Sequence, residues 1–137
     1  MGRILGIDYG EKRIGLAISD KSKIFASTKD FIYNNDHLLE NLKQIVDENE
    51  VEEIILGLPL KLNGEESEST ISVKYFKEEL DDFFDIKITL MDERLTTSYA
   101  EKLMISGNVR RNKRKQKIDS LSAQIFLQNY LDKIKKS

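Results

Sequence analysis

Apolar positions change their spacing several times along the chain, and each change marks an element. Residues 3–8 read as a short apolar strand and residues 13–19 as a second. The turn between them carries Gly10, so the pair is expected to form a β-hairpin. A third strand begins near Ile24 and extends toward Tyr33. From Leu38 the spacing becomes helical, with Leu38, Leu39, Leu42, Ile45 and Val46 on one face and an N-cap expected within Asn34-Asn35-Asp36. Glu52 to Gly57 is a continuous apolar strand of the kind buried on both faces in parallel sheets, and Pro59 ends it.

Asn63-Gly64 signals a turn. A second helix is predicted from Ser69 to Phe84, with Phe76, Leu80, Phe83 and Phe84 on its core side. These aromatics read as core and not as base-stacking groups. Ile86 to Met91 form a fifth strand that delivers Asp92-Glu93-Arg94. Ser98 and Glu101 have capping-box spacing for a short helix ending at Gly107. A basic loop follows, and the last helix is expected over 117–134, with Ile118, Leu121, Ile125, Leu127, Leu131 and Ile134 available for packing.

This order predicts an α/β fold with a mixed five-stranded sheet, three antiparallel strands followed by two parallel ones, flanked by helices. Right-handed crossovers place strands one, four and five side by side with their C-terminal ends on one edge. Open α/β sheets bind ligands at that edge. Asp8, Gly57 to Pro59 and Asp92 to Arg94 are expected to gather there.

Composition narrows the chemistry. The length of 137 residues suits one domain over 1–137. No apolar run approaches the roughly 18 residues that span a bilayer, and no signal-peptide pattern precedes the first strand. Cysteine is absent, which excludes disulfides and thiolate chemistry and fits a cytoplasmic location. The single histidine, His37, reads as a surface residue, so a multi-histidine zinc site is excluded within one chain. Carboxylates, hydroxyls, lysines and arginines remain.

Net charge is −2, yet its distribution is uneven. Residues 36–53 hold seven acids and one base, and 65–85 hold eight acids and two bases. Against these, residues 110–117 carry six positive charges in eight positions, a block expected as a solvated loop and as the place where a polyanion binds.

Three acidic positions stand out: Asp8 after strand one, Asp92-Glu93 after strand five, and Asp119 in the first turn of the last helix. Ser120, Ser122 and Ala123 follow Asp119, small residues that let backbone or substrate come close. Singly, each acid has an ordinary explanation: a turn for Asp8, an ion pair with Arg94 for Asp92 or Glu93, a helix cap for Asp119. Together they repel one another unless a cation sits between them. Oxygen donors without His or Cys select Mg²⁺ or Mn²⁺ over zinc. Two such ions about 3.5–4 Å apart suit phosphodiester hydrolysis. In that reading Gly6 and Gly10 leave room for metal and phosphate beside Asp8.

Four blocks in order resemble the YqgF (RuvX) family: Gly6-Ile7-Asp8-Tyr9-Gly10 with Lys12-Arg13-Ile14-Gly15; Gly57-Leu58-Pro59-Leu60 with Gly64; Asp92-Glu93-Arg94-Leu95-Thr96-Thr97; and Asp119-Ser120-Leu121-Ser122-Ala123. The resemblance spans almost the whole chain. It implies a ribonuclease H-like fold and a bacterial cytoplasmic nuclease that matures the 5′ end of pre-16S ribosomal RNA, in a family earlier described as Holliday junction resolvases. It also implies that Asp8, Glu93 and Asp119 are the catalytic, metal-binding acids. Many ribonuclease H-like enzymes carry a carboxylate at the end of the fourth strand, where this chain has Gly57-Leu58-Pro59. The second acid must then reach in from the next strand. Glu is longer than Asp by one methylene, which favours Glu93 as the ligand and leaves Asp92 supporting.

The expected reaction is hydrolysis leaving a 3′-hydroxyl and a 5′-phosphate, as the resemblance implies. Lys12, Arg13 and Arg94 are expected to hold the backbone near the scissile phosphate, and Lys113, Arg114, Lys115 and Lys117 the flanking strand. Ribosomal RNA precursor is the favoured substrate, with branched DNA as the alternative, and the protein is expected as a monomer or homodimer. A junction resolvase, a non-catalytic nucleic-acid-binding regulator and a sugar-kinase-like ATPase are the competing readings. The last requires two lobes around the nucleotide, and this length supplies one.

Overall fold

The apolar runs pair into one mixed sheet. The computed structural model describes residues 2–61, 63–92 and 111–135, with side chains from 120 onward in the last segment. The elements are β1 (Arg3–Asp8), β2 (Arg13–Ser19), β3 (Ala26–Tyr33), α1 (Leu38–Glu48), β4 (Val51–Leu58), α2 (Glu68–Phe83), β5 (Lys87–Asp92) and α3 (Arg111–Lys135). The strands lie in the order β3-β2-β1-β4-β5. β1–β2 and β2–β3 are antiparallel, while β4 runs parallel to both β1 and β5. The predicted mixed sheet is the observed one, and its three parallel strands end on one edge.

Alternation along the strands decides how the two faces are covered. Leu5, Ile7, Ile14, Leu16, Ile54 and Leu56 pack with Leu38, Leu42 and Val46 of α1 and with Val73, Phe76 and Leu80 of α2. Ile4, Ala17, Ala26 and Ile55 turn to the other face and meet Ala123, Phe126, Leu127 and Leu131 of α3. β4 is apolar from Ile54 to Leu58 because both its faces are covered there. Each large side chain removed from water in these layers contributes about 1.5–3 kcal/mol before entropy is counted.

Helix α3 lies unusually near the sheet. A Cβ on Gly6 would sit 3.1 Å from Leu127 Cβ and 3.2 Å from the Ala123 carbonyl oxygen. The room at Gly6 is therefore taken by the helix and not by a ligand. A Cβ on Gly10 would lie 2.4 Å from the Arg13 carbonyl oxygen, so Gly10 serves the tight reversal of the hairpin. Both glycines are explained by backbone approach, which replaces the expectation that they make space for metal and phosphate.

Polar anchors fix the register of α3. The Ser120 hydroxyl donates to the Lys29 carbonyl at 2.8 Å and accepts from the Leu16 N–H at 3.4 Å. It does so where the β2–β3 register slips between Ile14 and Leu16, a β-bulge that frees backbone groups for a side chain. Gln124 Nε2 donates to the Ala26 carbonyl and Gln128 Oε1 accepts the Ala26 N–H. Ser120→Ala is expected to cost about 1–3 kcal/mol, because it orphans buried backbone groups. Urea unfolding checks this, and a midpoint equal to that of the unsubstituted protein refutes it.

At the far end of the same face, Tyr130 donates to Glu53 Oε2 at 2.8 Å, and Thr89 donates to the same oxygen at 3.0 Å. Burial, and after it the hydrogen bond and charge of Glu53, push the Tyr130 phenol up to about 12 from 10.0. The folded state keeps the phenolic proton where the unfolded chain has lost it. This contribution to stability is thus complete below pH 10 and lost as pH rises from about 10 to about 12. Tyr130→Phe is expected to flatten that part of the alkaline stability curve, as read from urea midpoints at several pH values.

Several boundaries differ from expectation. α1 begins at Leu38 with His37 at the N-cap and no side-chain cap. Asn35 instead closes a turn ahead of the helix, its Oδ1 accepting the His37 N–H. α2 starts at Glu68, because Ser67 and Thr70 form a reciprocal capping box. Phe83 is 42 % exposed, on the flank of α2 that turns toward α1 rather than in the core. α3 begins at Arg111, six residues before the predicted start, so most of the basic run is helix and not loop. No Gly or Pro interrupts 111–135, and Lys, Arg and Gln are good helix formers. Repulsion between like charges costs only a few tenths of a kcal/mol per pair and does not outweigh this. The predicted short helix at 98–107 lies outside the described residues.

Candidate active site

Strand parity sets the direction of the first acid. Ile4 and Gly6 face α3, so Asp8, two residues further on, faces α3 as well. It is half-buried at the C-terminal end of β1, opposite Gly15 of β2. The turn behind it is held by Asn34, whose Nδ2 donates to the Gly10 carbonyl at 2.8 Å and whose N–H donates to the Lys12 carbonyl at 2.9 Å. Asn34, expected within a helix cap, is thus a positioning residue for the hairpin that carries Asp8. Its signal in the sequence was ambiguous, because Asn caps helices and braces turns equally well.

Helix α3 runs antiparallel to β1 on this face. Ser120 meets Lys29, Gln124 meets Ala26 and Gln128 reaches Ile24. Since β3 is parallel to β1 across β2, the helix N-terminus points toward the C-terminal edge of the sheet. Ala123 lies against Gly6. One turn earlier, position 119 has advanced about 6 Å along the helix. The two residues from Gly6 to Asp8 advance about 6.6 Å along the strand. The backbone at Asp119 therefore stands level with Asp8 on the same face, and 111–118 run on past that level by up to about 12 Å.

β5 completes the edge. Leu58 pairs with Asp92 in the parallel ladder. Thr89 and Met91 face α3, so Asp92 turns to the α1–α2 face, away from Asp8, and is exposed. Beneath the edge, the Thr70 hydroxyl donates to the Pro59 carbonyl and ties α2 to the loop that ends β4. An open depression of about 320 Å³, lined by Gly10, Glu11, Lys12 and Arg13, lies at the hairpin turn.

The family model described as "RuvX: Holliday junction resolvase" matches residues 2–133. The chain belongs to the RuvX family. Among curated relatives in that family, it is 42 % identical over 136 residues to "Putative pre-16S rRNA nuclease" of Sulfurihydrogenibium sp., covering 98 % of this chain and 92 % of the relative. It is 45 % identical over 133 residues to the protein of the same name from Thermoanaerobacter pseudethanolicus, covering 95 % and 96 %.

Two solved structures share the RuvX chain's fold. RuvC of T. thermophilus in complex with a Holliday junction substrate aligns with a TM-score of 0.62 at 11 % identity, over 98 % of this chain and 96 % of that one. Fowlpox virus resolvase in complex with Holliday junction DNA aligns with a TM-score of 0.61 at 12 % identity, over 96 % and 98 %. The ribonuclease H-like fold expected of the RuvX family is thus the observed one.

Of the expected site residues, Asp8, Lys12 and Arg13 share the β1–β2 end of the edge, and α3 brings the backbone of Asp119 to the level of Asp8. Asp92 faces the opposite side of the sheet. Glu93 and Arg94 lie outside the described residues, as do the side chains of Lys113, Arg114, Lys115, Lys117 and Asp119. Among the described residues no three His, Asp or Glu side chains form a metal-holding cluster, and no helix is long and apolar enough to cross a membrane.

Proposed function

We propose that this RuvX-family chain is a metal-dependent nuclease that hydrolyses phosphodiester bonds and processes the 5′ end of pre-16S ribosomal RNA. One observation carries the reading: Asp8 and the backbone of Asp119 stand level on one face of the sheet, at the edge where open α/β sheets bind ligands. The curated relatives' names support the RNA substrate, and the family description favours branched DNA as a second one.

Asp8, Glu93 and Asp119 are the proposed catalytic acids and the residues that would hold Mg²⁺ or Mn²⁺. The donor chemistry fits, since every candidate is a carboxylate and the chain has no cysteine. Strand parity argues against Asp92, since the even positions of β5 face the α1–α2 layer and not Asp8. When bound, such a cation polarises the phosphoryl oxygens and lowers the pKa of water. Lys12 and Arg13 sit at the hairpin turn next to Asp8, where they would hold the scissile phosphate together with Arg94. The basic start of α3 would grip the strand that continues past the edge. These contacts position backbone without reading sequence.

Purified protein with Mg²⁺ or Mn²⁺ is to be offered precursor 16S RNA and a four-way DNA junction in parallel, with Asp8→Asn as control. Cleavage of the RNA that Asp8→Asn abolishes supports the reading. Cleavage of the junction alone moves the substrate to branched DNA, and binding without cleavage of either makes the protein a non-catalytic regulator. Replacing Lys113, Arg114 and Lys115 with Gln is expected to weaken RNA binding and to lower the slope of log affinity against log salt by up to about 2 to 3. An unchanged slope removes those residues from the interface.

A further inference from the structure

Asp8 shares its sheet face with an aromatic cluster that no proposed contact uses. Arg13 pairs with Tyr33 across the β2–β3 ladder, and the Arg13 guanidinium lies 5.5 Å from the centre of the Phe31 ring. Phe31 and Tyr33 meet edge to face, their ring centres 5.3 Å apart at 88°. Arg13 has the parity of Ala17, whose side chain faces α3, so all three groups stand on the face of Asp8. Phe31 and Tyr33, two residues apart on β3, share this side by strand alternation, at the same end of the sheet as Asp8.

The cluster is not core. Tyr33 is 62 % exposed, whereas Ile32, between the two rings, packs into the α1–α2 layer. β3 lies two strand spacings from β1, about 10 Å away. A stacked strand rising about 3.4 Å per nucleotide covers that distance in about three nucleotides. The cations nearby are Lys12 and Arg13, and the basic start of α3 runs on past the level of Asp8.

We propose that Phe31 and Tyr33, with Arg13 over Phe31, form a stacking subsite for an unpaired nucleobase a few nucleotides from the phosphate at Asp8. The proposal rests on the nuclease reading and deepens it: the substrate is single-stranded, or opened, beside the cleavage point. Every base presents a π-face, so such a platform tolerates any sequence and either sugar. The exposed Tyr33 ring accepts the base beside the partly buried Phe31, which Arg13 stiffens by its cation–π contact. Phe31 and Tyr33 are positioning residues, since neither reaches the scissile bond.

The test uses the full-length Asp8→Asn protein with Mg²⁺, so that cleavage does not interfere. It is titrated with short single-stranded RNA and DNA oligonucleotides of one sequence, each carrying a single 2-aminopurine that is moved along the strand. Quenching of the fluorophore at one or two positions is expected. Tyr33→Ala should abolish that quenching and weaken binding about tenfold, and Tyr33→Phe should restore both. Phe31→Ala should behave as Tyr33→Ala does, and Phe31→Tyr, which keeps a ring of the same outline, serves as the folding-safe partner variant. With Asp8 restored, Tyr33→Ala should raise KM and leave kcat within a factor of about two.

Binding and quenching unchanged in Tyr33→Ala and Phe31→Ala overturn the subsite while leaving the nuclease reading intact, provided Asp8→Asn still abolishes cleavage. A change of oligomeric state in Tyr33→Ala with unchanged oligonucleotide binding assigns the face to a second copy and also overturns it. If the protein binds neither oligonucleotide and cleaves neither substrate, the subsite and the nuclease reading fall together.

Discussion

Asp8→Asn is expected to lower the rate of metal-dependent cleavage by roughly three powers of ten, with the fold unchanged. A bound divalent cation supplies several kcal/mol of transition-state stabilisation, and each 1.36 kcal/mol is tenfold in rate. Asp8 is the one proposed ligand whose side-chain direction is settled by a packed strand, between the Gly6–Ala123 contact and the hairpin turn braced by Asn34. Asn keeps the shape and one oxygen but loses the charge that draws the cation. The substitution also has a signature apart from activity. Mg²⁺ at a hundred times its dissociation constant should stabilise the unsubstituted protein by about 2.7 kcal/mol through linkage, and Asp8→Asn should lose most of this. Without metal, Asp8→Asn should keep the fold, because Asn preserves the shape of the side chain. Equal Mg²⁺ stabilisation of both proteins would remove Asp8 from the metal site.

Phe126→Ala is expected to be the most destabilising of these substitutions, at about 3–5 kcal/mol. Phe126 is fully buried between α3 and the sheet, in the layer formed with Ile4, Ala17, Ile55 and Leu127. Backbones on both sides are already near contact at Gly6, so the layer has little freedom to collapse into the cavity. A loss of that size is a large share of the 5–15 kcal/mol that holds a typical domain together. The urea midpoint should fall with the slope unchanged. Since this same layer carries position 119 to the level of Asp8, cleavage activity should fall at lower urea concentrations than global unfolding requires in the unsubstituted protein. A loss of stability below about 1 kcal/mol would show that α3 is held chiefly by its Ser120, Gln124 and Gln128 bonds.

The strands were legible because β1, β2 and β4 are nearly unbroken apolar runs bounded by Gly, Pro or charge. Their order then dictated the sheet, since two βαβ crossovers of one hand leave a single arrangement for β1, β4 and β5. Asp8 was legible for the same reason, as an acid closing a buried strand. The basic run was misread: six charges in eight positions look solvated, and solvation is compatible with an exposed helix as well as with a loop. The glycines were misread too. A residue without a side chain looks the same in sequence whether its space is filled by a ligand or by another backbone.

Local pattern thus specified which residues become strands and helices and which acids close them, since burial periodicity and turn chemistry act over a few neighbouring residues. Contacts distant in sequence decided the rest. The approach of α3 to Gly6 brings position 119 level with Asp8, strand parity turns Asp92 away from it, and the β2–β3 register sets Arg13 beside Phe31 and Tyr33. Each of these depends on how separate elements pack and register against one another, a relation that no stretch of sequence carries alone.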